Sequence, residues 1–233
     1  MPVKNTTGEH AAPKRELKLS IKIAILVVAV LLLGWMGVRL HHWIAQRGDT
    51  RVIVLVNPWN DVDNSGFSPK LKTVEGVQVD KSCVEDLTEM LAACRATGTP
   101  ITLTAGYRSP EEQLSLFENE VSRQRAAGRD ADTAYRLAEQ RVGTPGTSEH
   151  QLGLAVDVQG TSAQEWMREN AWRYGFILRY PEGSESVTGR SADSSHYRYV
   201  GLTVAEQIYS LDISLEEYMG MFFTQEAEIV LDK

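Results

Sequence analysis

Apolar and polar positions alternate in blocks along this chain, and the blocks change period several times. The first is an uncharged run from Ile23 to Val38, with no polar face anywhere along it. A helix that is apolar all round is either fully buried or crosses a membrane. Arg51 to Val56 is β-rich and predicts the first strand of the globular part, closed by Asn57-Pro58-Trp59-Asn60. Val74 to Val79 alternates weakly and predicts a short strand. Asp80 then suits the N-cap of a helix to about Thr97, with Val84, Leu87, Leu91 and Cys94 at helical spacing. Gly98 and Pro100 stop it, and Ile101 to Thr104 predicts a strand. A helix follows from Glu111, with Leu114 and Phe117 inward, and another over Asp132 to Val142. Leu154 to Val158 predicts a short buried strand, and Ala163 to Tyr174 an amphipathic helix. Phe176 to Tyr180 and His196 to Val200 predict two more strands, and Thr203 to Phe223 two short packing helices. Strands and helices are thus mixed along the globular part.

The 233 residues suffice for one sizeable core after a leader. Charge divides the chain. Residues 1–47 hold seven Lys or Arg against two Asp or Glu, and the remaining 17 and 29 leave the rest at −12. Such an acidic globular part argues against a nucleic-acid partner. The apolar run is slightly short for a span, but Lys22 and Arg39 can snorkel and Trp35 and Trp43 suit an interface. No small-x-small cleavage site follows it. The expectation is a cytoplasmic tail over 1–21, one uncleaved transmembrane helix over 22–43, a linker over 44–50, and an extracellular domain over 51–233. Positive charge before the anchor places the N-terminus in the cytoplasm. Two cysteines, Cys83 and Cys94, fall about 16 Å apart on one predicted helix, too far to bridge.

Candidate chemistry concentrates in Ser148-Glu149-His150-Gln151-Leu152-Gly153-Leu154-Ala155-Val156-Asp157. A loop carrying His150 that turns at Gly153 into a strand presenting Asp157 would bring both groups to one site. Of the five histidines only His150 and His196 lie in the globular part, and a lone loop histidine is usually just hydrogen-bonded. A catalytic zinc site takes about three protein ligands, and His150, Asp157 and His196 are the natural set. Arg108, in Gly106-Tyr107-Arg108-Ser109, sits where a strand gives way to a helix. It is either a surface arginine or a clamp for a carboxylate or oxyanion. Asp193 precedes His196 by three residues. It is either a loop cap or a general base toward water beside the metal.

These segments resemble the zinc D,D-carboxypeptidases of the VanY type, within the wider D-Ala-D-Ala metallopeptidases. The first motif, S-x-H-x-x-G-x-A-x-D, is matched by Ser148, His150, Gly153, Ala155 and Asp157. The likeness extends through Val56 to Asn60, Val79 to Lys81, Gly106 to Gln113, Asn170 to Pro181 and His196 to Gly201. The resemblance implies an α+β fold with a small central antiparallel sheet flanked by helices, of the hedgehog and D,D-peptidase kind. It implies Zn2+ on His150, Asp157 and His196, and Arg108 as a substrate or oxyanion contact. Gln113, Ser148, Tyr107 and Ser109 become substrate contacts. The implied substrate is the D-Ala-D-Ala end of a peptidoglycan stem peptide, which suits an outward-facing, anchored domain. The pattern departs from the family at Asp193-Ser194-Ser195-His196, where Glu-Pro-Trp-His is usual. Asp193 falls on the catalytic Glu, about one methylene shorter. Two alternatives stand beside the D,D-carboxypeptidase: an L,D-carboxypeptidase acting on tetrapeptide stems, and a wall-binding domain that keeps zinc but has lost catalysis.

Overall fold

The computed structural model describes Val27, Val28 and residues 50–221. Two units, Met1–Ala45 and Gln46–Lys233, divide the chain. Val27 and Val28, the described residues of the first, are helical. The expected anchor over 22–43 otherwise lies outside the described residues. Among those described, no helix is long and apolar enough to cross a membrane.

The first strands of the second unit form a hairpin of β1 (Leu71–Val74) and β2 (Val77–Asp80). The single strand expected over Val74 to Val79 is therefore broken, holding the last residue of β1, the turn and most of β2. Glu75 and Gly76 turn the chain between them with φ of 48° and 87°, the left-handed pair that matches hairpin twist. Asp80 then caps the next turn, accepting from Ser82 N, and α1 (Val84–Ala96) follows. Next come β3 (Thr102–Ala105), α2 (Pro110–Ala126) and α3 (Ala131–Arg141). β4 (Ala155–Gln159) leads through α4 (Thr161–Asn170) to β5 (Phe176–Tyr180). Then α5 (Glu185–Thr188), β6 (Asp193–Tyr199) and α6 (Leu202–Leu211) follow, with another helical segment from Leu215.

The second sheet has the order β3-β4-β6-β5, antiparallel throughout. Alternation along each strand separates a packing face from a chemical face. Val156 and Val158 of β4 and Tyr197 and Tyr199 of β6 enter a core with Leu87, Met90 and Leu91 of α1 and Met167 of α4. Asp157 and His196 point the other way. They are direct partners in the β4–β6 register, and cross-strand partners share a face.

The first expected strand does not form. Residues 50–52 make a 3-10 turn, and among the described residues between that turn and β1 the one β-type pairing is a bridge between Asn57 and Asn60. The β-rich composition serves burial instead, with Val52 and Val56 in the core. The carbonyls of Val52 and Val54 accept from Arg198 Nη2 at 3.0 and 2.9 Å, where a strand neighbour would otherwise donate. The helix expected over Ala163 to Tyr174 also changes, its last turn tightening into a 3-10 turn over Ala171–Tyr174.

Candidate metal centre

Three local devices deliver the three candidate ligands. His150 lies in a 3-10 turn, Glu149–Leu152, that ends on Gly153 at φ 66°. A β-carbon at Gly153 would lie 2.9 Å from Asp80 N, the same N–H that donates to Gly153 O at 2.7 Å. Left-handed backbone and close approach thus both demand glycine. Asp157 follows on β4, and the register sets His196 opposite it. A candidate ligand atom from each of His150, Asp157 and His196 lies within 4.8 Å of the others. Two imidazoles and one carboxylate form the donor set of an open catalytic zinc site.

Contacts around the cluster settle which atoms face inward. His150 Nδ1 lies 2.7 Å from Gly106 O, so this nitrogen donates and Nε2 is left for a metal. Nε2 is 3.3 Å from Asp157 Oδ1, and His196 Nδ1 is 2.9 Å from the same oxygen. Asp157 Oδ2 accepts from Arg108 Nη2 at 2.9 Å. The backbone that carries Arg108 is pinned as well. Its N–H donates to His150 O, and Tyr107 N donates to Gln78 O. A β-carbon at Gly106 would meet Gln78 O at 2.3 Å, so no larger residue fits this crossing. Tyr180 stacks on His196 with ring centroids 5.0 Å apart.

The charges are tightly coupled. Burial opposes charge on Asp157, but His150 and His196 outweigh it and hold this carboxyl well below the usual carboxylate range. Burial lowers the His150 pKa. Burial also works to lower that of His196, yet Asp157 and Glu149 outweigh it and push the value up to about 9.

The cluster lines a cavity of about 180 Å³ together with Arg108, Ser148, Arg190 and Asp193. Asp193 opens β6 opposite Tyr180, whereas Leu178 pairs with Tyr197. The step from one pair to the next takes two residues on β5 and four on β6. β6 therefore carries a bulge across Ser194-Ser195, a common device beside active sites. Asp193 Oδ1 accepts from Ser195 N at 2.8 Å and Ser195 Oγ at 2.5 Å.

Three residues expected to contact the substrate do not line the metal cavity. Gln113 is fully buried and donates to Val142 O and Gly143 O. Ser109 is the N-cap of α2, in a reciprocal box with Glu112. Tyr107 lines a neighbouring open groove with Gln78, Glu111 and Glu112, which shares Arg108 with the metal cavity.

The motif also holds a buried charge that its spacing does not mark. Glu149 is buried, and its Oε1 accepts from Arg179 Nε at 2.8 Å and Arg198 Nη1 at 2.7 Å. Burial opposes its charge, but the two guanidinium groups outweigh it and hold it below the carboxylate range. The available signal was an arginine within each of two apolar strands, Phe176-Ile-Leu-Arg179-Tyr and His196-Tyr-Arg198-Tyr-Val200. A charge inside such a strand requires a buried counter-charge.

Comparison with known proteins agrees with this geometry. Residues 76–202 match the family model described as VanY: D-alanyl-D-alanine carboxypeptidase. A D-alanyl-D-alanine carboxypeptidase of Enterococcus faecalis is 37% identical over 72% of this chain. The chain spans 65% of that relative's length, just under two thirds. The crystal structure of a vancomycin-resistance D,D-pentapeptidase VanY mutant in complex with Zn(II) is 36% identical, with TM-score 0.70 over 72% of this chain and 99% of that one. VanYB in complex with D-alanine-D-alanine is 35% identical, with TM-score 0.71 over 73% of this chain and 98% of that one.

Proposed function

From its membership of the VanY family of D-alanyl-D-alanine carboxypeptidases, we propose that this chain is a zinc-dependent D,D-carboxypeptidase that removes the terminal D-Ala from peptidoglycan stem peptides. The observation that carries this reading is the convergence of His150, Asp157 and His196 with Arg108 and Asp193 on one cavity. His150 Nε2, Asp157 and His196 Nδ1 would hold the zinc. Bound there, zinc supplies a Lewis acid that polarises the scissile carbonyl and lowers the pKa of water.

The protein's own groups supply the rest. Arg108 gives one N–H to Asp157 Oδ2. Its other donors can bind the substrate carboxylate or the oxyanion that develops at the carbonyl. Asp193 takes a proton from the attacking water and passes it to the leaving amine of D-Ala. The bonds from Ser195 to Oδ1 fix that carboxylate and leave Oδ2 for the transfer. Ser148 lines the same cavity and would contact the substrate there. The relatives' names and the zinc and D-Ala-D-Ala complexes support the substrate class. The uncharged run over 23–38 and its basic flank support a single-pass anchor at the cell membrane, with the domain facing the wall.

The test is incubation of the full chain with a stem pentapeptide and a stem tetrapeptide, reading product masses with and without chelator. Loss of one D-Ala from the pentapeptide, abolished by chelator, is the expected result. Loss from the tetrapeptide alone would assign L,D-carboxypeptidase activity. No loss from either with zinc retained would assign a wall-binding role.

A further inference from the structure

We propose that Glu149 is a positioning residue for the metal site: its Oε2 accepts a hydrogen bond from Nε2–H of His196, keeps the ring proton on that nitrogen, and so commits Nδ1 of the ring to the metal. The proposal rests on the zinc reading above and deepens it.

Three buried side-chain polar atoms among the described residues make no hydrogen bond, and two of them are Glu149 Oε2 and His196 Nε2. The two face each other at 3.5 Å. A buried polar atom left unsatisfied costs about 1–3 kcal/mol, and these two answer each other's need. Closing the gap by about 0.5 Å gives an ordinary N–H···O bond. The opposite nitrogen of the ring, Nδ1, is the one 2.9 Å from Asp157 Oδ1 within the ligand cluster. An imidazole that gives one nitrogen to a metal must hold its proton on the other. A carboxylate at that second position fixes the tautomer and raises the basicity of the ligand.

The surroundings fit Glu149 for this one task. Its other oxygen is occupied by Arg179 and Arg198. Arg179 is held in turn by a two-pronged pair to Glu216, at 2.8 and 2.6 Å. Arg198 is held by the carbonyls of Val52, Val54 and Tyr199. Asn57 Nδ2 donates to Glu216 Oε1 at 3.1 Å and closes the network. The carboxylate cannot swing away without breaking these bonds, and Tyr180 restrains the imidazole by stacking on it. The segment 52–57 and Glu216 do not line the cavity, yet through this network they set the orientation of a ligand.

The first experiment is nitrogen NMR of His196 in the zinc-loaded full chain. The expected spectrum has Nδ1 metal-bound and Nε2 protonated, with a slowly exchanging ring proton. Zinc bound through Nε2, or a fast-exchanging proton, overturns the proposal. The second is Glu149→Gln. Its oxygen stays with the two arginines, so its amide N–H opposes Nε2–H. Zinc affinity, read by competition with a chromophoric chelator, should fall by about 10–100-fold, and the His196 ring proton should shift. An unchanged zinc affinity in the folded variant overturns the proposal. Wild-type chain that binds zinc through Nδ1 but releases no D-Ala would sink the carboxypeptidase reading and leave this one standing. Wild-type chain that binds no zinc would sink both.

Discussion

Asp193→Ala removes the proposed base without touching a candidate ligand. Asp193 stands apart from the three residues that cluster within 4.8 Å, so zinc content should be unchanged. General acid–base catalysis is worth about 10²–10⁴-fold, or about 2.7–5.5 kcal/mol at about 1.36 kcal/mol per tenfold. We expect kcat on the stem pentapeptide to fall by that factor with little change in KM, the pattern of an interaction made in the transition state. Ser195→Ala should be milder, near tenfold by the value of about 1.5 kcal/mol for one hydrogen bond to a charged group. It removes the Oγ bond at 2.5 Å but keeps the backbone N–H bond at 2.8 Å to the same oxygen. The assay is steady-state release of D-Ala, with zinc measured on the same samples. A zinc-loaded Asp193→Ala chain that keeps kcat within threefold would show that the proton transfer belongs to another group.

Other consequences are testable alongside it. Arg198→Met leaves Glu149 paired with Arg179 alone and frees the carbonyls of Val52 and Val54. Breaking a buried pair in this way should cost about 3–5 kcal/mol in urea unfolding, and a loss under 1 kcal/mol would contradict the network's structural role. Cys83 and Cys94 are both buried free thiols, and burial raises the pKa of each. Neither should react with a thiol reagent until the chain is unfolded, and prompt labelling of the native protein would count against this packing. The full chain should sediment with membranes and resist alkaline extraction, with its N-terminal sequence intact. Recovery in the soluble fraction with residues 1–43 missing would point to a cleaved leader.

The metal cluster was legible because its motif fixes residue types at fixed spacing. Its geometry was not. Only the β4–β6 register sets His196 opposite Asp157, and pairing between segments some forty residues apart leaves no periodic mark in either. The misread first strand has a related cause. Val52 to Val56 has strand composition because its two ends are buried and its middle packs against the cores, and the carbonyls of Val52 and Val54 are answered by a side chain, Arg198, that composition does not reveal. The β1–β2 hairpin was missed because Glu75 is not the residue type that usually signals a left-handed turn position. Ser109 and Gln113 belong to the family pattern, and both act here on the backbone: one caps α2, and the other ties that helix to the carbonyls of Val142 and Gly143. Glu149 escaped notice between Ser148 and His150 because its partners come from two later strands.

The most direct measurement of the central claim is zinc restoration. The full chain would be stripped with chelator, freed of it, and titrated with zinc while D-Ala release from stem pentapeptide is followed. The account predicts no activity in the stripped protein, recovery that saturates at one zinc per chain, and no recovery in His150→Ala. Full activity of the stripped protein, or equal recovery in His150→Ala, would contradict it.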